Sequence, residues 1–267
     1  MQQLQIELTT RCNFDCFYCA GRTMQQKDMK WDTFTSIIQR YTTEYGKPSL
    51  VILQGEGEPT LHPDFFKMAK LVVDQGIELY SITNGTYRYP EKFIGLFTKI
   101  GVSLDTLDEE KANAIGRYKL PKVLEFIDKI SKHIEVHIHS IFDGENTNEI
   151  SDWCTRNGYK HAVQPLQTKE DYAINYNIPS HTPTVGFSCN FLGSKRLRYY
   201  TVNGVELPCC HIKDINAYPG LPELISLNNR KTWPKCCIGC DYGYSQPEPH
   251  QSIYKLSDSM RIQIKQE

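Results

Sequence analysis

Cys12, Cys16 and Cys19 form a C-x3-C-x2-C loop directly after the first apolar run of the chain. A loop this short can turn three sulfurs towards one point, yet a closed iron–sulfur site needs four thiolates. The missing ligand is informative, because a metal with one open position can bind and activate another molecule, as a catalytic zinc does with its water. Three unconnected core cysteines are the bland alternative. A zinc knuckle would need a fourth ligand close by, and the next histidine, His62, is far along the chain.

A second group of thiols follows late in the sequence. Cys189, Gly204 and Cys209 make a C-x14-G-x4-C pattern, and Cys237 and Cys240 add a C-x2-C. Four thiolates complete either a [4Fe–4S] site or a structural zinc, with Cys210 and Cys236 as substitutes if the register slips. Cys154 shares a helical apolar face with Ile150 and Trp153 and reads as a buried structural thiol. Between the two groups lies Gly55-Glu56-Gly57-Glu58-Pro59. Its glycines let backbone approach a ligand closely, and its carboxylates can receive an ammonium group. Thr83-Asn84 and Ser103-Leu104-Asp105 place directed hydrogen-bonding groups at strand ends, although Asn-Gly is also a common turn pair. His137 and His139 could bind metal, accept a proton or be structural.

Those residues need elements to position them. Short apolar runs predict strands at Leu4–Thr9, Leu50–Gln54, Leu79–Thr83, Ile100–Leu104, Ile134–Ile141 and His161–Pro165. Apolar residues at i, i+3, i+4 and i+7 predict helices through Phe34, Ile37, Ile38 and Tyr41, through Phe65, Met68, Ala69 and Val72, and through Val123, Phe126, Ile127 and Ile130. Alternating strands and helices mean βα units on a parallel sheet, with active sites at the strands' C-terminal ends. Strand parity predicts a polar lumen face carrying Gln5, Glu7, Ser81, Thr83, Gly101, Ser103, Asp105, Glu135, His137 and His139. Near Gln167 the rhythm stops. The polar stretch 168–183, with Tyr172, Tyr176 and Pro179, reads as a connector or lid, and a hairpin of Leu197–Val202 and Val205–Leu207 around Asn203-Gly204 follows.

With 40% hydrophobic and 23% charged residues, the chain has the composition of an ordinary globular protein. Neither a membrane-length apolar run nor a signal peptide is present, so a cytoplasmic location is expected. Ten cysteines in a reducing compartment suggest metal or catalysis over a disulfide framework. A net charge of −1 argues against nucleic-acid binding. Lys195-Arg196-Leu197-Arg198, the one dense basic patch, is either a solvated hairpin rim or a contact for an acidic group.

The three-cysteine loop, with the aromatic Tyr18 before its last thiol, resembles that of the radical S-adenosylmethionine (SAM) enzymes. The resemblance implies a partial (β/α)6 TIM-like barrel, where periodicity alone shows only repeating βα units. It implies a [4Fe–4S] cluster on Cys12, Cys16 and Cys19 whose open iron is chelated by SAM. Gly57-Glu58-Pro59 resembles the end of the family's Gly-Gly-Glu-Pro turn, which contacts the SAM amino group, with Glu56 in place of the first glycine. Tyr18, Thr83, Asn84, Ser103 and Asp105 look like further SAM contacts to ribose and methionine. The late cysteines resemble the Twitch domain, a shortened SPASM domain, implying one auxiliary [4Fe–4S] cluster on Cys189, Cys209, Cys237 and Cys240. The expected domains are thus a barrel over 1–167 and a connector with auxiliary-cluster domain over 168–267. With a strand beginning at Leu4, no leader-recognition domain is expected ahead of the barrel, which slightly disfavours a ribosomal-peptide modifier.

The implied activity is reductive SAM cleavage to a 5′-deoxyadenosyl radical that takes hydrogen from a substrate carbon, the auxiliary cluster assisting oxidation. The substrate is either a small polar alcohol or a peptide side chain, and a flavodoxin or ferredoxin would supply electrons. His137 and His139 are candidate catalytic proton acceptors. A non-enzymatic zinc or iron–sulfur module with structural C-terminal cysteines is the competing class.

Overall fold

In a computed structural model of the chain, which describes residues 3–142, 147–167, 169, 185–189, 191–192 and 197–240, all six expected strands form. They are β1 (Gln3–Ile6), β2 (Leu50–Leu53), β3 (Glu78–Thr83), β4 (Lys99–Ser103), β5 (Glu135–Phe142) and β6 (Lys160–Pro165). Each pairs in parallel with the next, because a helix or loop crossover returns the chain to the same end of the sheet. The crossovers contain α1 (Trp31–Tyr45), α2 (Phe65–Asp74), α3 (Glu109–Ile115), α4 (Leu120–Ser131) and α5 (Thr147–Asn157). Every residue of the three expected helical stripes is buried, and the stripes join Leu4, Ile6, Val51, Leu53, Ile100, Val102 and Ile138 in one core. The short α3 has no such stripe; it is set by Asp108, which caps the Glu110 and Lys111 N–H groups, and by Gly116 in the left-handed conformation.

Parity holds for β1, β4 and β5 but is reversed in β3. Ser81 and Thr83 were expected in the lumen, yet Ser81 pairs with Leu53 and Thr83 with Val102, both on the helix side. Their hydroxyls are satisfied there, Ser81 donating to the Leu53 carbonyl (2.6 Å) and Thr83 to Glu58 (2.7 Å). A short hydroxyl bonded in this way can join an apolar layer, whereas a phenol needs room and a partner. Tyr80 therefore takes the lumen face with His137 and His139.

The late hairpin forms as β7 (Leu197–Tyr200) and β8 (Glu206–Leu207), turning at Gly204 with φ +76°. It does not make a sheet of its own. β7 lies parallel to β1, giving the order β6-β5-β4-β3-β2-β1-β7-β8 and covering an edge whose N–H and C=O groups would otherwise be unpaired. Helix α6 (Leu221–Asn229) follows, and Leu224 joins Phe187, Tyr199, Leu207 and the late cysteines in a second, smaller core. Arg198 lies over the Tyr45 ring and pairs with Glu206, so this part of the basic patch is committed to packing. The expected connector at 168–183, apart from Lys169, and Lys195-Arg196 lie outside the described residues. Among the described residues no helix is long and apolar enough to cross a membrane.

Candidate active site

The Cys12–Cys19 loop leaves the C-terminal end of β1 and is gripped by backbone on two sides. Asp15 and Phe17 donate their N–H groups to the carbonyls of Gly116 (3.2 Å) and Ile115 (3.1 Å). Gly116 is required here: its φ is +91°, and a Cβ would lie 2.6 Å from the Asp15 carbonyl oxygen. Gly57 presses from the other side, where a Cβ would lie 2.4 Å from the Thr9 carbonyl oxygen and 2.6 Å from that of Arg11. The thiols form no disulfide, and N–H groups point at two of them, Phe14 at Cys12 (3.4 Å) and Gly21 at Cys19 (3.3 Å). Burial pushes the Cys12 thiol up to about 11 and also raises Cys16 and Cys19. Such thiols give up protons readily only to a metal cation, and soft sulfur donors on a short loop suit an iron–sulfur cluster. Among the described residues no three Cys, His, Asp or Glu side chains close on a single ion, so the fit rests on this donor set and not on a preformed cage.

Glu58 is the hub behind the loop. One carboxylate oxygen accepts from the Thr60 N–H (3.1 Å), the Thr60 hydroxyl (2.6 Å) and the Thr83 hydroxyl (2.7 Å), and the other from the Asn84 N–H (2.6 Å). Asn84 passes the restraint on, donating from its amide to Asn13 in the cysteine loop (2.7 Å) and accepting from Thr86. Burial raises the Glu58 carboxyl above its ordinary value, and these donors offset only part of that rise. In E58Q an amide N–H2 would face groups that only donate or are already donating. We expect a loss of about 1–3 kcal/mol, read as a lower urea midpoint at unchanged slope.

Tyr18 and Asp105 meet at a second knot. Asp105 accepts from the Ile141 N–H (2.7 Å), from Arg117 Nε (2.5 Å) and from the Tyr18 hydroxyl, while Arg117 Nε also reaches the Tyr18 oxygen (2.6 Å). Arg117 had no motif to announce it, lying just past α3. Ser103, at the end of β4, pairs across with His139 on the lumen face.

The lumen is layered. At the strand starts Lys99 pairs with Glu78 (2.6 Å) and Lys160 with Glu135 (2.5 Å). Above them Tyr80 lies 2.8 Å from His139 Nε2 and 3.5 Å from His137 Nδ1, and His137 Nε2 lies 2.8 Å from Glu135. Burial, with His137 and His161 nearby, holds His139 down to about 4. The unfolded chain therefore takes up this proton first, near the ordinary histidine value of ~6.5. The associated stability is complete above that pH and is lost as pH falls towards 4, by up to about 1.4 kcal/mol per pH unit. Denaturant unfolding at stepped pH should show the slope, and H139Q should remove its share.

The structure also gathers the second thiol group. Cys209 feels Cys210 first and then Cys240 and Cys189, and Cys237 feels Cys236, Cys240 and Cys209, with the Cys236 and Cys237 sulfurs 3.7 Å apart. Burial raises Cys189 and Cys209, so free, desolvated soft donors again fit a cluster. Lys213 ties this region to the first site. Its ammonium pairs with Glu56 and the Cys210 carbonyl, and Glu56 lies 3.7 Å from the Cys19 sulfur. Behind Glu56 the buried Glu7 accepts from the Glu56 N–H (3.0 Å) and the Val202 N–H (3.0 Å), linking β2's loop to the hairpin.

Residues 6–155 match the family model described as the Radical SAM superfamily. The S-adenosylmethionine-dependent nucleotide dehydratase of Selenomonas ruminantium is 28% identical over 134 residues, 48% of this chain and 48% of the relative. A probable GTP 3′,8-cyclase of Pyrococcus abyssi is 33% identical over 172 residues, 61% of this chain and 55% of the relative. The chain thus spans about half the length of these curated relatives. Among solved structures, native anSMEcpe with bound AdoMet and Cp18Cys peptide superposes with a TM-score of 0.60 at 15% identity, covering 99% of this chain and 97% of that one.

Proposed function

The chain belongs to the Radical SAM superfamily, and we propose that within it this is an oxidoreductase acting on a carbon of a peptide side chain, assisted by an auxiliary cluster. Cys12, Cys16 and Cys19 would hold the SAM-binding [4Fe–4S] cluster, and Cys189, Cys209, Cys237 and Cys240 the auxiliary one. Held by these residues, the first cluster would supply the electron for reductive cleavage of SAM to a 5′-deoxyadenosyl radical, and the second would supply an acceptor for the electron left on the substrate. The chain's own residues position and shield. Glu58, Thr83, Asn84 and Asn13 lock the loops around the cysteines, the knot of Tyr18, Asp105 and Arg117 closes the β4 side, and the strands bound a polar lumen in which His139 accepts the proton lost on oxidation.

The observation that carries this reading is the pairing of two groups of buried and half-buried cysteines outside any disulfide, joined through Glu56 and Lys213 beside one lumen. The peptide is favoured by the bound peptide of a neighbour that this chain matches over nearly its whole length. The phenol and imidazoles of the lumen favour a small polar alcohol as the second reading. An anaerobically reconstituted sample should hold iron and sulfide for two clusters and release 5′-deoxyadenosine on reduction. A colourless zinc protein, or a cluster protein that never cleaves SAM, would instead establish the non-enzymatic module. Mass spectrometry of the product separates a peptide from a small molecule by which of them loses two hydrogens.

A further inference from the structure

The lumen hydrogen bonds have a direction that can be worked out from one end. Glu135 is half exposed and its carboxylate only accepts, so the His137 Nε2 facing it at 2.8 Å carries hydrogen. In a neutral ring His137 Nδ1 is then bare, and it accepts from the Tyr80 hydroxyl 3.5 Å away. Tyr80 has one hydrogen, so its oxygen must accept from His139 at 2.8 Å, which places the His139 hydrogen on Nε2. His139 Nδ1 is left as a bare lone pair. It is also a buried ring nitrogen with no hydrogen-bond partner among the described residues. The arrangement is built: a Cβ at Gly101 would lie 2.7 Å from the Tyr80 oxygen and 2.9 Å from His139 Cδ2, so only glycine lets phenol and imidazole meet.

We propose that His139, Tyr80, His137 and Glu135 form a one-way proton relay through the lumen, entered at His139 Nδ1 by a substrate O–H or N–H and left at Glu135. Resting on the lumen as the reaction chamber, it deepens the oxidoreductase reading by naming the substrate group, a hydroxyl or amine on or beside the oxidised carbon, and the way its proton leaves. The steps balance. Nδ1 takes the substrate proton, the Nε2 hydrogen passes to the Tyr80 oxygen, the Tyr80 hydrogen passes to His137 Nδ1, and the His137 Nε2 hydrogen passes to Glu135 and on to water. Tyr80 and His137 act as positioning and relay groups, and only His139 meets the substrate. Lys160, paired with the same Glu135 oxygen at 2.5 Å, holds that carboxylate below its ordinary range together with His137, so the proton is not kept there but handed to water at the exposed strand starts.

The test reads tautomers in the reconstituted holoprotein, with histidine labelled by the heavy nitrogen isotope and His139 assigned from H139Q. The wild type should show His139 protonated at Nε2. Lys160 and His137 share one Glu135 oxygen, and in E135Q that oxygen stays an acceptor for both, so His139 should keep its hydrogen on Nε2. In E135K/K160M the group facing His137 Nε2 is an ammonium, which only donates, so every hydrogen bond should reverse and His139 should switch to Nδ1–H. Y80F should abolish the preference at His139, and adding Y80F to E135K/K160M should match Y80F alone. A wild-type His139 protonated at Nδ1, or one unmoved by E135K/K160M, would overturn the relay. Because Glu135 and Lys160 are both well exposed, E135K/K160M keeps the test decisive if Y80F fails to fold. 5′-Deoxyadenosine formation by the wild type is measured separately, and its absence would sink the oxidoreductase reading while leaving the tautomer result standing.

Discussion

Cys16→Ala is expected to leave the fold standing while removing both iron binding at the first site and all 5′-deoxyadenosine formation. Cys16 is the sharpest of the three positions to change because the loop around it is held by other atoms. Its neighbours Asp15 and Phe17 hang on the carbonyls of Gly116 and Ile115, and Asn13 is bonded to Asn84 and Thr86. None of these contacts uses the Cys16 sulfur, which meets the Gly116 carbonyl at a long 3.9 Å and the Tyr18 hydroxyl. Deleting it removes one small buried atom, about 1 kcal/mol or roughly 2–4 °C in a chain of this size. Cys154→Ala is the matched control. That thiol is 1% exposed beside Ile150 in the barrel core, so its loss should cost as much stability and no iron. Thermal melts, iron counts and deoxyadenosine yields on the two proteins separate a ligand from a packing thiol. A C16A protein that keeps full iron and still cleaves SAM would remove Cys16 from the site.

Much of the scaffold was legible because it is periodic. Apolar spacing located each strand to within a few residues and, apart from Leu120, the buried residues of three helices, since burial of one face is what both periods record. The β3 error shows where that logic stops. Alternation sorts side chains into two faces but does not say which face a polar residue takes when, like Ser81, it can satisfy itself on a neighbouring carbonyl. Of the site, the cysteines and the Gly57-Glu58 turn announce themselves through local spacing. Asn13, Tyr80, Arg117 and Lys213 do not, because their partners lie 71, 59, 99 and 157 residues away in sequence and no local pattern encodes such a contact. One signal for Lys213 was present. Glu56 puts an acid where the resembled turn has glycine, and an acid destined for burial calls for a cation.

That pair carries the second large effect. Lys213→Met should destabilise the protein by about 3–5 kcal/mol, whereas E56G/K213M should recover most of the loss. The side chains of Lys213 and Glu56 are only 7% and 13% exposed, so both charges have given up most of their water. With the ammonium gone, the Glu56 carboxylate would remain desolvated 3.7 Å from the Cys19 sulfur. It would then disfavour the thiolate there as well as the fold, so iron loading should fall together with the urea midpoint. Removing both partners leaves no buried charge to strand, and glycine at position 56 restores the residue of the resembled turn. The Cys210 carbonyl loses its ammonium in either variant, so it cannot account for a difference between them. The order K213M well below wild type, with the double variant between them and nearer the top, assigns the loss to the stranded carboxylate. Equal losses in the two would assign it to the contact of the Lys213 ammonium with the Tyr199 ring, which both variants lose.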